Sequence, residues 1–298
     1  MNSIKNKAEP AWDDAETILA ANHLNKSYSQ RSGQYGFGST RVKALDDVSI
    51  RLKTGSTLAV VGESGSGKST LARCLLQLLP LDKRAGDSGE VLFQGRDLST
   101  LSSSELRVQR RHLQMVFQDP FASLNPRMRI GEIVGEGLLV HKLGNAAEQR
   151  QKVVQMLKRV GLGENDMQKY PHEFSGGQRQ RIGIARALVL EPQVVVCDEP
   201  VSALDVSIQA QILLLLKELQ QEMKLSYIFI SHDLRVVRHI ADEVVVMHQG
   251  KVVEAGTVYD IYHDPKEEYT RNLLRSIPGR KHKPDGLAAV GDALGRSE

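Results

Sequence analysis

The sequence has very little cysteine. Cys74 and Cys197 are the only two in 298 residues, and they lie far apart. That excludes a disulfide framework, a four-cysteine zinc site and an all-cysteine iron–sulfur cluster, and fits a reducing compartment. An excess of one charge is also missing. Lys+Arg total 39 against Asp+Glu 36, a net charge of +3, which gives no electrostatic case for nucleic acid or a membrane surface. No apolar run approaches the roughly 18 residues of a membrane span. The longest candidate, Ile212 to Leu216, ends at Lys217. The opening MNSIKNKAEPAWDDAE has no apolar h-region, so no secretory signal is read there and the cytoplasm is the expected compartment. At 41% hydrophobic and 25% charged, the composition is that of a globular chain with a sizeable core.

Within that frame, the apolar residues come in short blocks. Thr57–Val61 (TLAVV) is continuously apolar, as a strand buried on both faces would be, and Ser69–Leu79 after it has helical spacing. Similar blocks begin at Val194 (VVVCDEP) and Tyr227 (YIFIS), the latter followed by a helical stretch over Leu234–Ala241. A shorter block is Val244–Met247. Continuous apolar strands alternating with helices predict an α/β fold with a mostly parallel sheet covered on both sides. Thr17–Asn22 and Val48–Leu52 read as short strands, and Ser29–Thr40, rich in glycine and serine, as a loop. The middle of the chain has no buried strand pattern. Its amphipathic stretches, such as Gln149–Val160, predict a helical insertion over roughly 119–186. The start, 1–16, reads as a flexible lead and the polar end, 280–298, as a disordered tail.

Gly62-Glu63-Ser64-Gly65-Ser66-Gly67-Lys68-Ser69 fits G-x-x-x-x-G-K-[ST] between a buried strand and a helix. Glycines let the backbone wrap so that successive N–H groups point inward, and the helix N-terminus adds positive potential for phosphate. Lys68 is placed to reach β- and γ-phosphates, and the Ser69 hydroxyl to ligate Mg²⁺. Val194–Glu199 (VVVCDE) ends in a pair of acids at the edge where parallel sheets bind ligands. Asp198 is read as orienting Mg²⁺ through a water, Glu199 as polarising the attacking water. Phe174-Ser175-Gly176-Gly177-Gln178 precedes a second amphipathic helix, Arg179–Leu190, with Ser175 as its N-cap. One nucleotide does not need two such anion sites; two nucleotides shared between two chains would use both.

In this motif order, over most of residues 17–250, the chain resembles the ATP-binding cassette (ABC) family of ATPases. The resemblance implies a P-loop, RecA-like core with an antiparallel β edge and a helical subdomain. It implies ATP and Mg²⁺ as ligands, held by Gly62, Ser64, Gly65, Ser66, Gly67, Lys68, Ser69 and Thr70. Tyr28 matches the aromatic that stacks on adenine. Gln118 matches the glutamine joining the metal site to the helical insertion, and His232 the switch histidine facing the γ-phosphate. Ser175, Gly176, Gly177 and Gln178 would contact ATP bound by a partner cassette. Asp205, in Ser202–Asp205, lies in the loop linking the two sites. The family usually has leucine where this chain has Phe174, which keeps an apolar plug.

FQDPFASLNPRMRIGEI (117–133) and the C-terminal run Tyr259–Pro278 narrow the resemblance to the peptide-importer branch, which also takes in nickel, glutathione and peptide-antibiotic uptake. Residues 17–256 would form the cassette and 257–279 that branch's extension, of which Glu267-Glu268-Tyr269-Thr270-Arg271 keeps only the second half of the usual sequence. The cysteine cluster of some relatives is missing, so no iron–sulfur group is expected. The implied partners are a second cassette, unlike or identical, two transmembrane permease subunits and, indirectly, a substrate-binding protein, at the cytoplasmic face of the inner membrane. Nucleic acid is not among them. The alternative classes are a soluble ABC ATPase acting on DNA or ribosomes and an unrelated P-loop kinase or GTPase. The other histidines are read as surface residues and the Arg107, Arg110, Arg111 cluster as a solvated face. The stripe Ile208, Ile212, Leu215, Leu216, Leu219 is read as core.

Overall fold

The computed structural model describes residues 16–31, 39–119 and 121–277; most of the expected lead, the centre of the Ser29–Thr40 loop, Pro120 and the expected tail with His282 lie outside them. The elements run β1 (Thr17–Arg31), β2 (Ser39–Lys53), β3 (Thr57–Val61), α1 (Lys68–Leu75), β4 (Ser88–Phe93), β5 (Arg96–Asp97), α2 (Ser103–Arg110) and β6 (Leu113–Val116). There follow α3 (Ile130–Val140), α4 (Ala146–Arg159), α5 (Gly176–Leu188), β7 (Val194–Asp198), α6 (Val206–Met223) and β8 (Ser226–Ser231). The chain continues through α7 (Leu234–Ile240), β9 (Glu243–His248), β10 (Lys251–Thr257), α8 (Val258–His263) and α9 (Glu268–Arg275).

Six strands form the central sheet in the order β10-β9-β3-β8-β7-β6, and β10 is the antiparallel edge. The other five run parallel. A second, antiparallel sheet has the order β2-β1-β4-β5.

The continuous apolar blocks have a simple explanation. Successive strand side chains point to opposite faces, and here both faces are buried. Leu58, Val60, Val194, Val196, Ile228 and Ile230 pack toward the antiparallel sheet and α1. Their alternates Ala59, Val61, Val195, Cys197, Tyr227 and Phe229 pack toward the helices on the other side. That second core takes in α3, α4 and α5, which lie between β6 and β7 in the chain, and the predicted stripe of α6, with Ile208 half-buried at its end.

Several expectations need correction. The two short strands predicted near the start are 15-residue strands paired with each other from Thr17↔Lys53 to Arg31↔Ser39, so both ends of the expected Ser29–Thr40 loop are strand. Repeated register shifts break their alternation, and a bulge erases the period-2 signal. Strands β4 and β6 carry no strong pattern and were not anticipated. Arg110 and Arg111 are half-buried; Arg110 donates to the Gln77 carbonyl at 2.6 Å and Arg107 to that of Val140 at 2.8 Å, so the cluster is partly structural. His112, half-buried, stacks on Phe93 at a centroid distance of 6.5 Å and is not a free surface residue.

The end of β1 that carries Tyr28 is pinned by a buried ion pair. Lys26 donates to Asp87 at 2.5 Å and to the Pro80 carbonyl at 2.9 Å. Burial by itself raises the Asp87 pKa, but the bonds from Lys26 and from the Asp82 and Ser27 amides outweigh it and hold the carboxyl below its ordinary value. A depressed folded-state pKa means the stabilisation is complete above about pH 4 and is lost as pH falls through the folded value. Asp87→Ala strands the Lys26 charge and should cost about 3–5 kcal/mol at pH 7. A lower urea midpoint would show it, and the deficit should shrink as the pH is taken below about 4.

Candidate functional site: a phosphate cradle at the sheet edge

The parallel strands deliver their C-terminal ends to one edge. Val61 pairs with Ser231, Asp198 with Ile230, and Val116 with Cys197. The residues that follow these ends, Gly62, His232, Glu199 and Gln118, line one open cavity of about 630 Å³. Glu63, Ser64, Gly65, Gly67, Lys68, Ser69 and Thr70 complete its floor. Ser66 is buried beneath it.

The loop is tightly fitted. Gly62 has φ +152, and a Cβ there would sit 2.2 Å from the Met247 carbonyl oxygen. Gly67 has φ +105, and its Cβ would sit 2.5 Å from the Ala44 carbonyl oxygen. Side chains are excluded at both points, which is why glycine is required. The Gly250 amide donates to the Ser66 carbonyl at 3.0 Å and ties the loop to the β9–β10 turn.

Lys68 is buried, and its Nζ donates to the carbonyls of Gly62 at 2.7 Å and Glu63 at 2.8 Å. Burial lowers its pKa, and the charges of Glu199, Asp198 and Glu63 oppose that shift. The ammonium therefore lies curled into its own loop, at the wall of the open cavity. The Ser69 hydroxyl donates to Asp198 Oδ1 at 3.2 Å. Burial raises the Asp198 carboxyl; the Ser69 bond opposes this and neighbouring Glu199 adds to it. A hydroxyl and a buried carboxylate are hard oxygen donors and fit Mg²⁺.

Glu199 adopts a left-handed backbone, φ 47, held by its N–H donating to the Ile230 carbonyl at 3.0 Å. Such a conformation is costly for a residue with a side chain and recurs at functional sites. Its carboxylate is gripped at both oxygens. Gln118 Nε2 donates to Oε2 at 3.0 Å and His232 Nδ1 lies 3.1 Å from Oε1. Glu199, His232 and Gln118 thus form one cluster at the cavity. Tyr28, 40% exposed, reaches the floor through its hydroxyl, 3.4 Å from that of Thr70.

The second glycine motif does not join this cavity. Ser175 caps α5: its amide donates to Gln178 Oε1 at 3.0 Å, and its hydroxyl accepts from the Gln178 amide at 3.4 Å. The reciprocal pair is a capping box. Ser175 and Gln178 are exposed, while Gly176 and Gly177 are half-buried. A Cβ on Gly177 would lie 2.6 Å from Ile208 Cγ2, so the turn is seated on the start of α6. Asp205 stands at the N-cap position of α6, exposed, without a side-chain capping bond.

Three residues of the cavity, and one that touches its loop, escaped the sequence reading. Ala44 comes from β2, and Leu273 and Ser276 come from α9 and its end. Tyr269 touches the loop directly, accepting a hydrogen bond from the Glu63 amide at 3.2 Å. Nothing local marks them, because their place depends on the packing of distant segments.

Relatives agree with this geometry. The ABC transporter family profile matches residues 45–202. The oligopeptide transport ATP-binding protein OppF of Haemophilus influenzae is 50% identical over 269 residues, 89% of this chain and 80% of that protein. The protein of the same name from Escherichia coli is 55% identical over 238 residues, 80% and 70% of the two chains. Among solved structures, the dimeric post-hydrolysis state of the ATP-binding cassette MJ0796, bound to ADP and Pi, superposes with a TM-score of 0.69 at 28% identity, covering 81% and 99%. The cassette cbiO1 from Clostridium perfringens, part of the ABC transporter complex cbiONQ, gives 0.70 at 30%, covering 88% and 96%.

Gly67→Ala is expected to force the loop out of its left-handed turn at about 1–3 kcal/mol. That corresponds to ATP binding roughly 5- to 150-fold weaker by titration, with far-UV circular dichroism retained. Unchanged affinity would contradict the fitted-loop reading. With cradle, sheet edge and matching profile in agreement, the chain belongs to the ABC transporter family of ATP-binding proteins.

Proposed function

We propose that this protein is the nucleotide-binding subunit of an ABC importer, which hydrolyses ATP at the seam between two cassettes and powers uptake of peptides or related small solutes through partner membrane subunits. One observation carries the reading. A complete phosphate cradle and water-activating cluster share one cavity, while the chain's own serine-capped turn lies outside it and exposed. Each half is chemically idle without its complement from a second cassette. The names of the oligopeptide transport relatives support peptides as cargo. No helix among the described residues is long and apolar enough to cross a membrane; in this reading the permeation path belongs to partner subunits, with this chain docked on them at the membrane surface.

The mechanism follows from the positions of the side chains. Tyr28 offers a ring to adenine beside Thr70. Backbone N–H groups of the loop from Gly65 to Ser69 meet the phosphates, and Lys68 exchanges its carbonyl partners for phosphate oxygens. Ser69, Asp198 and Gln118 would hold Mg²⁺, which when bound neutralises charge on the β- and γ-phosphates. Glu199 takes a proton from the attacking water, and His232, beside it, contacts the γ-phosphate. Ser175, Gly176, Gly177 and Gln178 complete the site of the partner, whose own turn completes this one. Contacts that exist only with the γ-phosphate draw the cassettes together, and its loss lets them part. Asp205 lies in the loop between the two sites. The helical segment 119–186 carries this motion to the membrane subunit past Gln118. There Phe117 and Phe121 are exposed, stacked under Arg186 at 5.6 Å and Arg179 at 4.1 Å.

Glu199→Gln should bind ATP and lower kcat by about 10²–10⁴, the range for a lost general base; unchanged turnover refutes the role. In that background, mass in solution with and without ATP separates self-pairing from a need for an unlike cassette. Fractionation with ribosomes rather than membranes would overturn the importer assignment.

A further inference from the structure

The helix α9 follows the last strand of the sheet, yet it returns to the nucleotide cavity. Leu273 and Ser276 form part of the cavity wall. Tyr269, one turn earlier, places its hydroxyl on the Glu63 amide at 3.2 Å. That N–H belongs to the same peptide unit as the Gly62 carbonyl, which accepts from Lys68 Nζ at 2.7 Å. A peptide unit is planar and turns as one piece. The Gly62–Glu63 plane therefore has a hydrogen bond at each end, one to Tyr269 and one to Lys68. It also hangs from Gly62, a residue whose backbone torsions are the least restricted of any. The plane that α9 holds is therefore one that opens the cradle and carries a Lys68 partner.

The tyrosine side of this bond is firmly seated. Its ring packs on His248 with centroids 4.0 Å apart. Leu274 and Thr270, on the same helix, are buried. Ahead of the helix, Glu254 of β10 accepts from the amides of Lys266 at 2.6 Å and Glu267 at 3.2 Å. The hydroxyl is consequently a fixed acceptor toward which the loop is drawn.

We propose that α9 is part of the nucleotide site, and that Tyr269 is a positioning residue: it fixes the Gly62–Glu63 peptide plane and so sets where Lys68 and the cradle amides wait for the triphosphate. Without that bond, ATP must order the plane on arrival, and binding weakens while the chemistry at Glu199 stays intact. The inference rests on the ATP-binding reading above and extends it to a segment outside the sheet.

The test is Tyr269→Phe, which keeps the ring on His248 and removes only the acceptor. Three measurements are made on the full chain: Kd for a fluorescent ATP analogue, kcat at saturating ATP, and amide hydrogen exchange of the segment 62–69 without nucleotide. One net hydrogen bond predicts a Kd raised about two- to tenfold, faster exchange in that segment, and kcat within about a factor of two of the wild type. Unchanged Kd and exchange overturn the proposal. A lowered Tm with unchanged Kd makes Tyr269 a packing residue and overturns it too, as does a fall in kcat at unchanged Kd. Failure of the wild-type chain to bind the analogue would instead overturn the ATP-binding reading, so the two failures are distinguishable.

Discussion

The pairing of β3 with β8, and of β8 with β7, is the constraint on which the site depends. Parallel ladders bring strand ends to a common edge, and here the register sets Val61 beside Ser231 and Ile230 beside Asp198. Three separate stretches of chain therefore release their next residues at the same place. Gly62 starts the cradle, Glu199 turns into the cavity and His232 meets it. A slip of one residue in any of these strands would turn its side chains to the opposite face. Both faces are filled with fitted hydrophobic side chains, so such a slip would also disrupt two cores. The chemistry inherits its precision from that packing.

Around this frame the polar groups are arranged as linked pairs. Lys68 is held by carbonyls, Ser69 by Asp198, and Glu199 by Gln118 and His232 together. Lys68, Asp198 and Glu199 each have a partner within the chain, and Lys68, Ser69 and Gln118 are groups a triphosphate and its metal would recruit. Binding is therefore largely an exchange of hydrogen bonds and requires little new order in the site. The buried ion pair Lys26–Asp87 serves the same end at a distance, because it anchors the strand that carries Tyr28.

What was legible in the sequence has a physical pattern. The strands β3, β7 and β8 were readable because burial on both faces leaves no polar interruption. The cradle was readable because phosphate and close backbone approach impose residue types at fixed spacing. The long pair β1 and β2 was read only in fragments, since its bulges break the alternation that marks a strand. The parts of Arg110, Ala44 and Tyr269 were hidden for a different reason. Each acts through a contact between segments distant in the chain, and Tyr269 reaches the amide of a residue 206 positions away. The sequence around Tyr269 identified a branch of the family without indicating where the helix would lie.

The seat of the exposed turn on α6 has a mechanical consequence. Gly177 lies so close to Ile208 that no methyl group fits between them, and Ile208 stands three residues after Asp205, in the first turn of a helix that follows the Glu199 loop. The exposed turn and the segment that leads from Glu199 into α6 thus meet at the first turn of one helix. A side chain added at Gly177 would press on the start of α6, three residues past Asp205, so the fit of the exposed turn and the position of that helix are set together.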